Sequence, residues 1–168
     1  MKQRFTHQSG LFQTEVMNCK AYSKEPRGCA GAYLIYYMSA FAPETAKQQW
    51  TLYKHNLMTT QFGVTGFREY LPAYRGRWTP DSGPIISGIG VAASGLALKT
   101  AARVGDLETY DRIARCADPL MATCHAVQSI PLLGIVGKIG SDLLASSIRL
   151  TAQVEAIRDR SNTKECGL

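Results

Sequence analysis

The sequence predicts an all-α protein built from about three antiparallel helical hairpins. Apolar residues recur at helical spacing in successive segments, and Gly and Pro residues separate these segments. Apolar helices alternate with amphipathic ones, so that each pair reads as a hairpin with an inner and an outer helix. The apolar helices begin near residues 28, 84 and 140, and this step of about 56 residues is typical of a hairpin array.

The first hairpin is predicted on either side of Pro43. The segment from Gly28 to about residue 41 is apolar almost all round, which indicates a helix buried on several sides. Pro43 suits the first turn of a second helix. That helix carries its apolar side chains on one face, at Ala46, Trp50, Tyr53 and Leu57.

The second hairpin is predicted to start after a long structured loop at residues 61–83, which is rich in glycine, aromatic residues and arginine. A helix of small residues from Pro84 to Arg103 would allow another helix to approach closely. Gly105 is a suitable C-cap for it, and Asp106 is a suitable N-cap for a fourth helix that begins at about residue 107.

The whole chain divides into three predicted regions. Residues 1–26 form an irregular N-terminal segment, 27–158 a helical-hairpin domain whose last helix covers about 141–158, and 159–168 a frayed tail.

The amino-acid composition limits the classes of function that this chain could have. With 45% hydrophobic and 19% charged residues, the 168-residue chain reads as globular. The net charge of +6 is spread along the chain, with one local cluster at Arg68, Arg75 and Arg77, so we expect no specific nucleic-acid partner. Five cysteines without a CxxC pair argue against a disulfide framework and a zinc ribbon, and we expect no metal and no cofactor.

The chain shows no targeting or membrane signal. Its N-terminus has no apolar h-region, so no signal peptide is visible and a cytoplasmic location is the default expectation. The stretch from Gly83 to Leu98 is uncharged, but it is rich in Gly and Ala and shorter than the roughly 20 apolar residues that a span needs. We therefore expect no membrane span.

The loop at 61–83 holds the strongest candidate site. Glu69 and Asp81 could serve as a catalytic acid–base pair if they lie within about 5–10 Å of each other. Nearby arginines would lower the pKa of a carboxyl group, whereas burial against an aromatic ring would raise it. The predicted ligand-binding residues, including aromatic side chains able to stack on a sugar ring, are Arg27, Arg68, Tyr70, Tyr74, Arg77 and Trp78.

Structural interpretations of the same residues stay open. Asp81 or Ser82 also suits an ordinary helix N-cap before Pro84, and Glu69 could simply pair with neighbouring arginines. Cys29 would have a lowered pKa at a helix N-terminus, but no histidine is near it in sequence to act as its base, which favours a buried structural thiol.

Three stretches carry a family resemblance: PRGCAGAY, GFREYLP and DSGPIISGIGVAASGLALKTAARVGD. Together they resemble the six-hairpin-glycosidase-like (α/α) toroids, including the linalool dehydratase/isomerase-like branch, over roughly residues 20–155. The resemblance implies a ring of inner and outer helices with a polar pocket where the inner helices begin. It also implies glycoside hydrolysis, polysaccharide lysis or the hydration and dehydration of small alcohols.

The leading functional hypothesis is a partial α/α toroid related to carbohydrate-active or dehydratase-type enzymes. It leans towards a glycoside hydrolase or lyase, with its acid–base site in loop 61–83 and a small molecule or sugar as ligand. Because the chain supplies only part of a ring, we expect self-association or a longer parent chain. The alternatives are a non-catalytic helical module for protein–protein association and a membrane-associated helical protein.

Overall fold

The computed structural model describes residues 5–14, 16–17, 20–21, 25–74 and 82–116. Within these ranges the chain forms four helical segments and three antiparallel two-stranded sheets. The predicted all-α class is therefore wrong, and the fold is a mixture of helices and strands. The predicted helix at 141–158 lies outside the described residues.

The first hairpin is present as predicted. A short sheet of β1 (Val16–Met17) and β2 (Lys20–Ala21) precedes it along the chain. Helix α1 covers Gly28–Met38, and α2 covers Pro43–Leu57 with its proline in the first turn. The two helices pack on each other across a short link, because each has an apolar face to bury.

The predicted loop contains a β-hairpin instead of irregular chain alone. Strand β3 (Met58–Gln61) pairs with β4 (Val64–Phe67), and both turn residues between them have positive φ, 51° at Phe62 and 80° at Gly63. This is the geometry of a type I′ turn, whose twist matches that of the two strands. β-Branched threonine and valine residues favour the strands over a loop.

A second hairpin corrects the predicted start of the third helix. Residues 85–90 form β5 (Ile85–Ile86) and β6 (Ile89–Gly90), joined by Ser87 and Gly88 with φ of 50° and 82°. Short isoleucine-rich runs fit a strand as well as a helix, and the turn decides between them. Helix α3 therefore begins at Val91 and ends at Val104.

Helix α3 packs against α1 through small side chains. Ala32 on α1 and Ala97 on α3 are fully buried, and the Thr100 hydroxyl donates to the carbonyl oxygen of Ala32 at 3.0 Å. A hydroxyl can reach a neighbouring helix backbone only where the two helices lie close together, which the small residues predict. Of the helices in the described residues, none has the length and apolar character needed to cross a membrane.

The core centres on three aromatic rings contributed by α2 and β4. Tyr53 is fully buried and stacks on both Trp50 and Phe67, with ring centroids 5.5 and 4.9 Å away, and the Trp50 and Phe67 rings are themselves 5.7 Å apart. The N-terminal segment joins this core through α2, because the Gln49 amide accepts from the N–H of Phe12 and donates to the carbonyl of Gly10.

The predicted caps around residue 105 are confirmed. Gly105 ends α3 in the left-handed conformation, with φ of 77°. A fourth helix, α4, begins at residue 107 and is described as far as 116. Asp106 caps it by accepting from the backbone N–H of Thr109 at 3.1 Å.

Asp106 also ties α2 to α4. Its Oδ2 accepts from Trp50 Nε1 at 2.8 Å and from Lys54 Nζ at 2.6 Å. Burial alone would raise the pKa of Asp106, but hydrogen bonds from Lys54, Trp50 and Thr109 outweigh it and lower the pKa to about 2.

We expect Asp106→Asn to lower the free energy of unfolding by about 1–2 kcal/mol near pH 7. A carboxylate whose pKa is lowered in the folded state stabilises the fold above its unfolded pKa, 3.8, and this contribution is lost as the pH falls towards 2. Urea unfolding at a series of pH values should show a difference in the free energy of unfolding between wild type and variant, and this difference should narrow below about pH 4. A gap of constant size would contradict this account.

Candidate functional site

Helix α1 begins without a local cap. Arg27 occupies the N-cap position and makes no capping hydrogen bond with its side chain, and the first turn contains no acidic residue. The first N–H groups of any helix lack partners within the helix, and here they are buried at Gly28 and Cys29. Buried N–H groups require an acceptor, so one must come from elsewhere in the chain.

Glu69 supplies that acceptor. Its Oε2 accepts from the backbone N–H of Cys29 at 3.1 Å, and its own carbonyl oxygen accepts from the N–H of Gly28 at 2.8 Å. The residue is only 1% exposed. A carboxylate at this position also lies at the positive end of the helix dipole, which stabilises the charge.

Two further donors converge on the other carboxylate oxygen. Arg27 Nε lies 3.0 Å from Glu69 Oε1 in an ion pair, and Cys29 Sγ donates to the same oxygen at 3.1 Å. Charged groups strengthen such hydrogen bonds. Taking ions out of water is costly, so this geometry holds only while all three donors stay in place.

Tyr53 closes the inner side of the site. Its hydroxyl donates to the carbonyl oxygen of Gly28 at 2.8 Å. Burial raises the pKa of Tyr53 well above its usual value, and electrostatic interactions with Glu69 and then Cys29 raise it further. Tyr53 therefore stays protonated and continues to donate.

Aromatic rings connect this buried centre to the surface. The guanidinium carbon of Arg27 lies 5.9 Å from the centroid of the Tyr70 ring, which is 5.4 Å from the Tyr74 ring. Tyr74 is 47% exposed. The structure thus brings four of the predicted site residues into one continuous series: Glu69, Arg27, Tyr70 and Tyr74.

Comparisons of the chain with protein-family models, with curated proteins and with solved structures give no match. The interpretation of the site therefore depends on its own geometry. Among the described residues, no group of three or more His, Cys, Asp or Glu side chains is arranged to hold a metal ion.

Of the remaining predicted site residues, only Arg68 belongs to the described part of the chain. Arg68 follows β4 but donates through Nη2 to Thr59 Oγ1 on β3, at 3.0 Å. Glu69 pairs with Arg27 and not with Arg68, and the other two arginines considered from the sequence, Arg75 and Arg77, lie outside the described residues. Arg77, Trp78 and Asp81 lie outside the described residues, so the pairing of Glu69 with Asp81 stays a prediction.

Sequence reasoning recognised Cys29 as buried but missed its contact with Glu69, and it missed Tyr53 as a neighbour of the site. The sequence did contain a signal for the contact between Cys29 and Glu69. The segment Pro26-Arg27-Gly28-Cys29 opens a helix without Ser, Thr, Asp or Asn at the cap. A buried helix start of this kind demands a remote acceptor.

Gly28 allows the helix start and the Glu69 segment to approach each other. A Cβ at this position would overlap the carbonyl oxygen of Arg68, which is backbone and cannot rotate away. The close approach therefore depends on the absence of a side chain at residue 28.

We expect Gly28→Ala to destabilise the protein by about 2 kcal/mol or more, because the backbone must move to relieve the overlap. Gly95→Ala is the matched control, since a Cβ there, on α3, meets nothing within 4 Å. That change should stabilise the protein by about 0.5–1 kcal/mol, because alanine favours a helix interior. Chemical denaturation of both variants measures the difference, and equal effects would refute the close-approach argument.

We expect Glu69→Gln to lower the free energy of unfolding by about 3 kcal/mol, because the Arg27 guanidinium then loses its ion pair with a buried carboxylate. A double-mutant cycle with Arg27→Gln isolates the pair. The double variant should lose less free energy of unfolding than the two single variants lose in total. Simple additivity in urea unfolding would show that the pair does not couple.

Proposed function

We propose that this chain performs acid–base chemistry on a small-molecule or sugar ligand, with Glu69 as the proton-handling carboxylate. The observation that carries the proposal is the position of that carboxylate, buried between the Arg27 guanidinium and the Cys29 thiol. Burying charge is costly, and groups held in this way are concentrated at functional sites.

The thiol and the carboxylate can share one proton. Cys29 Sγ and Glu69 Oε1 are 3.1 Å apart, so a proton that leaves the sulfur arrives on the carboxylate without any further carrier. The transfer produces a thiolate and a neutral carboxyl group, and the reverse transfer restores both. This separation is too short for a sugar or a water molecule to lie between the groups. The thiol and the carboxylate therefore form one shared-proton centre.

The ligand would bind on the outer side of Arg27. Tyr70 and Tyr74 offer ring faces for a sugar ring or another flat molecule, and the guanidinium offers donors for hydroxyl or carboxylate oxygens. A shallow recess also borders Arg27, with mainly apolar walls formed by residues such as Leu11, Phe12, Pro26, Leu34 and Ile35.

The reaction class rests on the sequence resemblance to carbohydrate-active and dehydratase-type enzymes. Acid–base chemistry at Glu69 does not require a toroid, since the fold contains hairpins of strands. The combination of a proton-handling carboxylate with aromatic and arginine side chains beside it also supports this reaction class.

The test screens the full chain for turnover of aryl glycosides, oligosaccharides and small alcohols. We expect Glu69→Gln to lower kcat/KM by about 100-fold or more, as loss of a general acid or base does. Tyr74→Leu should act mainly on KM, because the exposed ring binds ligand but handles no proton.

Glu44→Gln is the matched control, since this glutamate has an 81% exposed side chain on α2 and only a surface partner. It should leave turnover unchanged. All assays run well below the melting temperature of each variant, with circular dichroism to confirm the fold. Full activity in folded Glu69→Gln, or no turnover of any compound by the wild type, would overturn the proposal.

A further inference from the structure

Helix α1 and the turn after it present exposed aromatic side chains. Tyr33 and Tyr37 are 47% and 51% exposed, and Phe41, in the turn after the helix, is 77% exposed. The Tyr37 ring meets those of Tyr33 and Tyr36 edge-on, with centroids 4.8 and 5.2 Å apart. We call these four residues the aromatic face. Exposed rings grouped in this way are typical of interaction surfaces.

Two cations border the aromatic face. Lys99 Nζ lies 4.5 Å from the centroid of the Tyr36 ring, and the guanidinium carbon of Arg103 lies 5.9 Å from it. Both belong to α3, which packs against α1. Neither helix contains Asp or Glu, so no carboxylate on these two helices balances the basic edge.

The tyrosines themselves add no charge. The Tyr33 and Tyr37 hydroxyls are 3.1 Å apart, and the hydrogen bond between them raises the pKa of Tyr37. The aromatic face is thus neutral at its centre and positive along one edge.

We propose that the aromatic face binds an acidic amphipathic helix of a partner protein. Tyr33, Tyr37 and Phe41 recur at intervals of four residues along α1 and the turn after it, an arrangement that a helix laid alongside can cover. Apolar side chains of the partner would cover the rings. Its carboxylates would meet Lys99 and Arg103, the arrangement by which helices are recognised in basic-edged grooves.

The charge of the aromatic face argues against a second copy of the chain as its binding partner. Two copies that meet through this face would bring two basic edges together, with no carboxylate on α1 or α3 to compensate. Like charges at an interface are costly. The role of this surface does not depend on the acid–base proposal.

The test titrates the full chain into a fluorescein-labelled helical peptide of about 20 residues, with Leu and Phe on one face and Glu along both edges. The control peptide carries Lys at every Glu position. By fluorescence anisotropy, the Glu peptide should bind at least about tenfold more tightly than the Lys peptide. Lys99→Glu should weaken binding of the Glu peptide and strengthen binding of the Lys peptide, a reversal that a merely structural role would not produce.

The double substitution Tyr33→Ser and Tyr37→Ser should raise the Kd of the Glu peptide at least about tenfold. Phe62→Asn is the matched control, because this ring is 92% exposed in the β3–β4 turn and its positive φ suits asparagine. It should leave the Kd unchanged.

Three results would overturn the proposal. They are equal affinity for both peptides, no binding of the Glu peptide, and a Kd that responds to Phe62→Asn as strongly as to the double substitution. Light scattering on a sizing column tests whether a second copy of the chain binds the aromatic face instead. A dimer of the wild type that the tyrosine substitutions abolish would assign the face to a second copy.

Discussion

The start of α1 depends on a carboxylate that follows it by 40 residues. A helix of 11 residues is marginal alone, and this one has no side-chain cap of its own. Glu69 satisfies its buried N–H groups, Gly28 leaves room for that approach, and Arg27 balances the charge. The stacked core then forms against this end of the helix, with Tyr53 bound to the carbonyl of Gly28.

Polar side chains connect distant segments elsewhere in the fold as well. Gln49 fixes the N-terminal segment, Asp106 joins α2 to α4, and Thr100 joins α3 to α1. Each of these groups is partly or fully buried and bonded to backbone or to a charged partner. Such bonds add modest net stability when made, but they are expensive to break, and they therefore specify how the helices are arranged.

Features encoded locally could be predicted from the sequence, and those created by approach in space could not. Helices α1 and α2 follow from apolar spacing, and the caps at Gly105 and Asp106 follow from residue type. The β3–β4 and β5–β6 hairpins were missed because Phe-Gly and Ser-Gly are weaker turn signals than Asn-Gly, and because short apolar runs suit either structure. In the site, Glu69 was identified from its surroundings in the loop. The spacing of residues along the chain does not indicate that its partners lie on α1.

The remote cap has a consequence for the order in which the chain can fold. While only the first two helices have been synthesised, α1 has no acceptor for its leading N–H groups, and the stack of Trp50 and Tyr53 lacks Phe67. Emergence of β4 and residue 69 supplies both at once. The N-terminal half therefore gains its structure from the segment that follows it, and a nascent chain that stops after α2 exposes surfaces suited to chaperones.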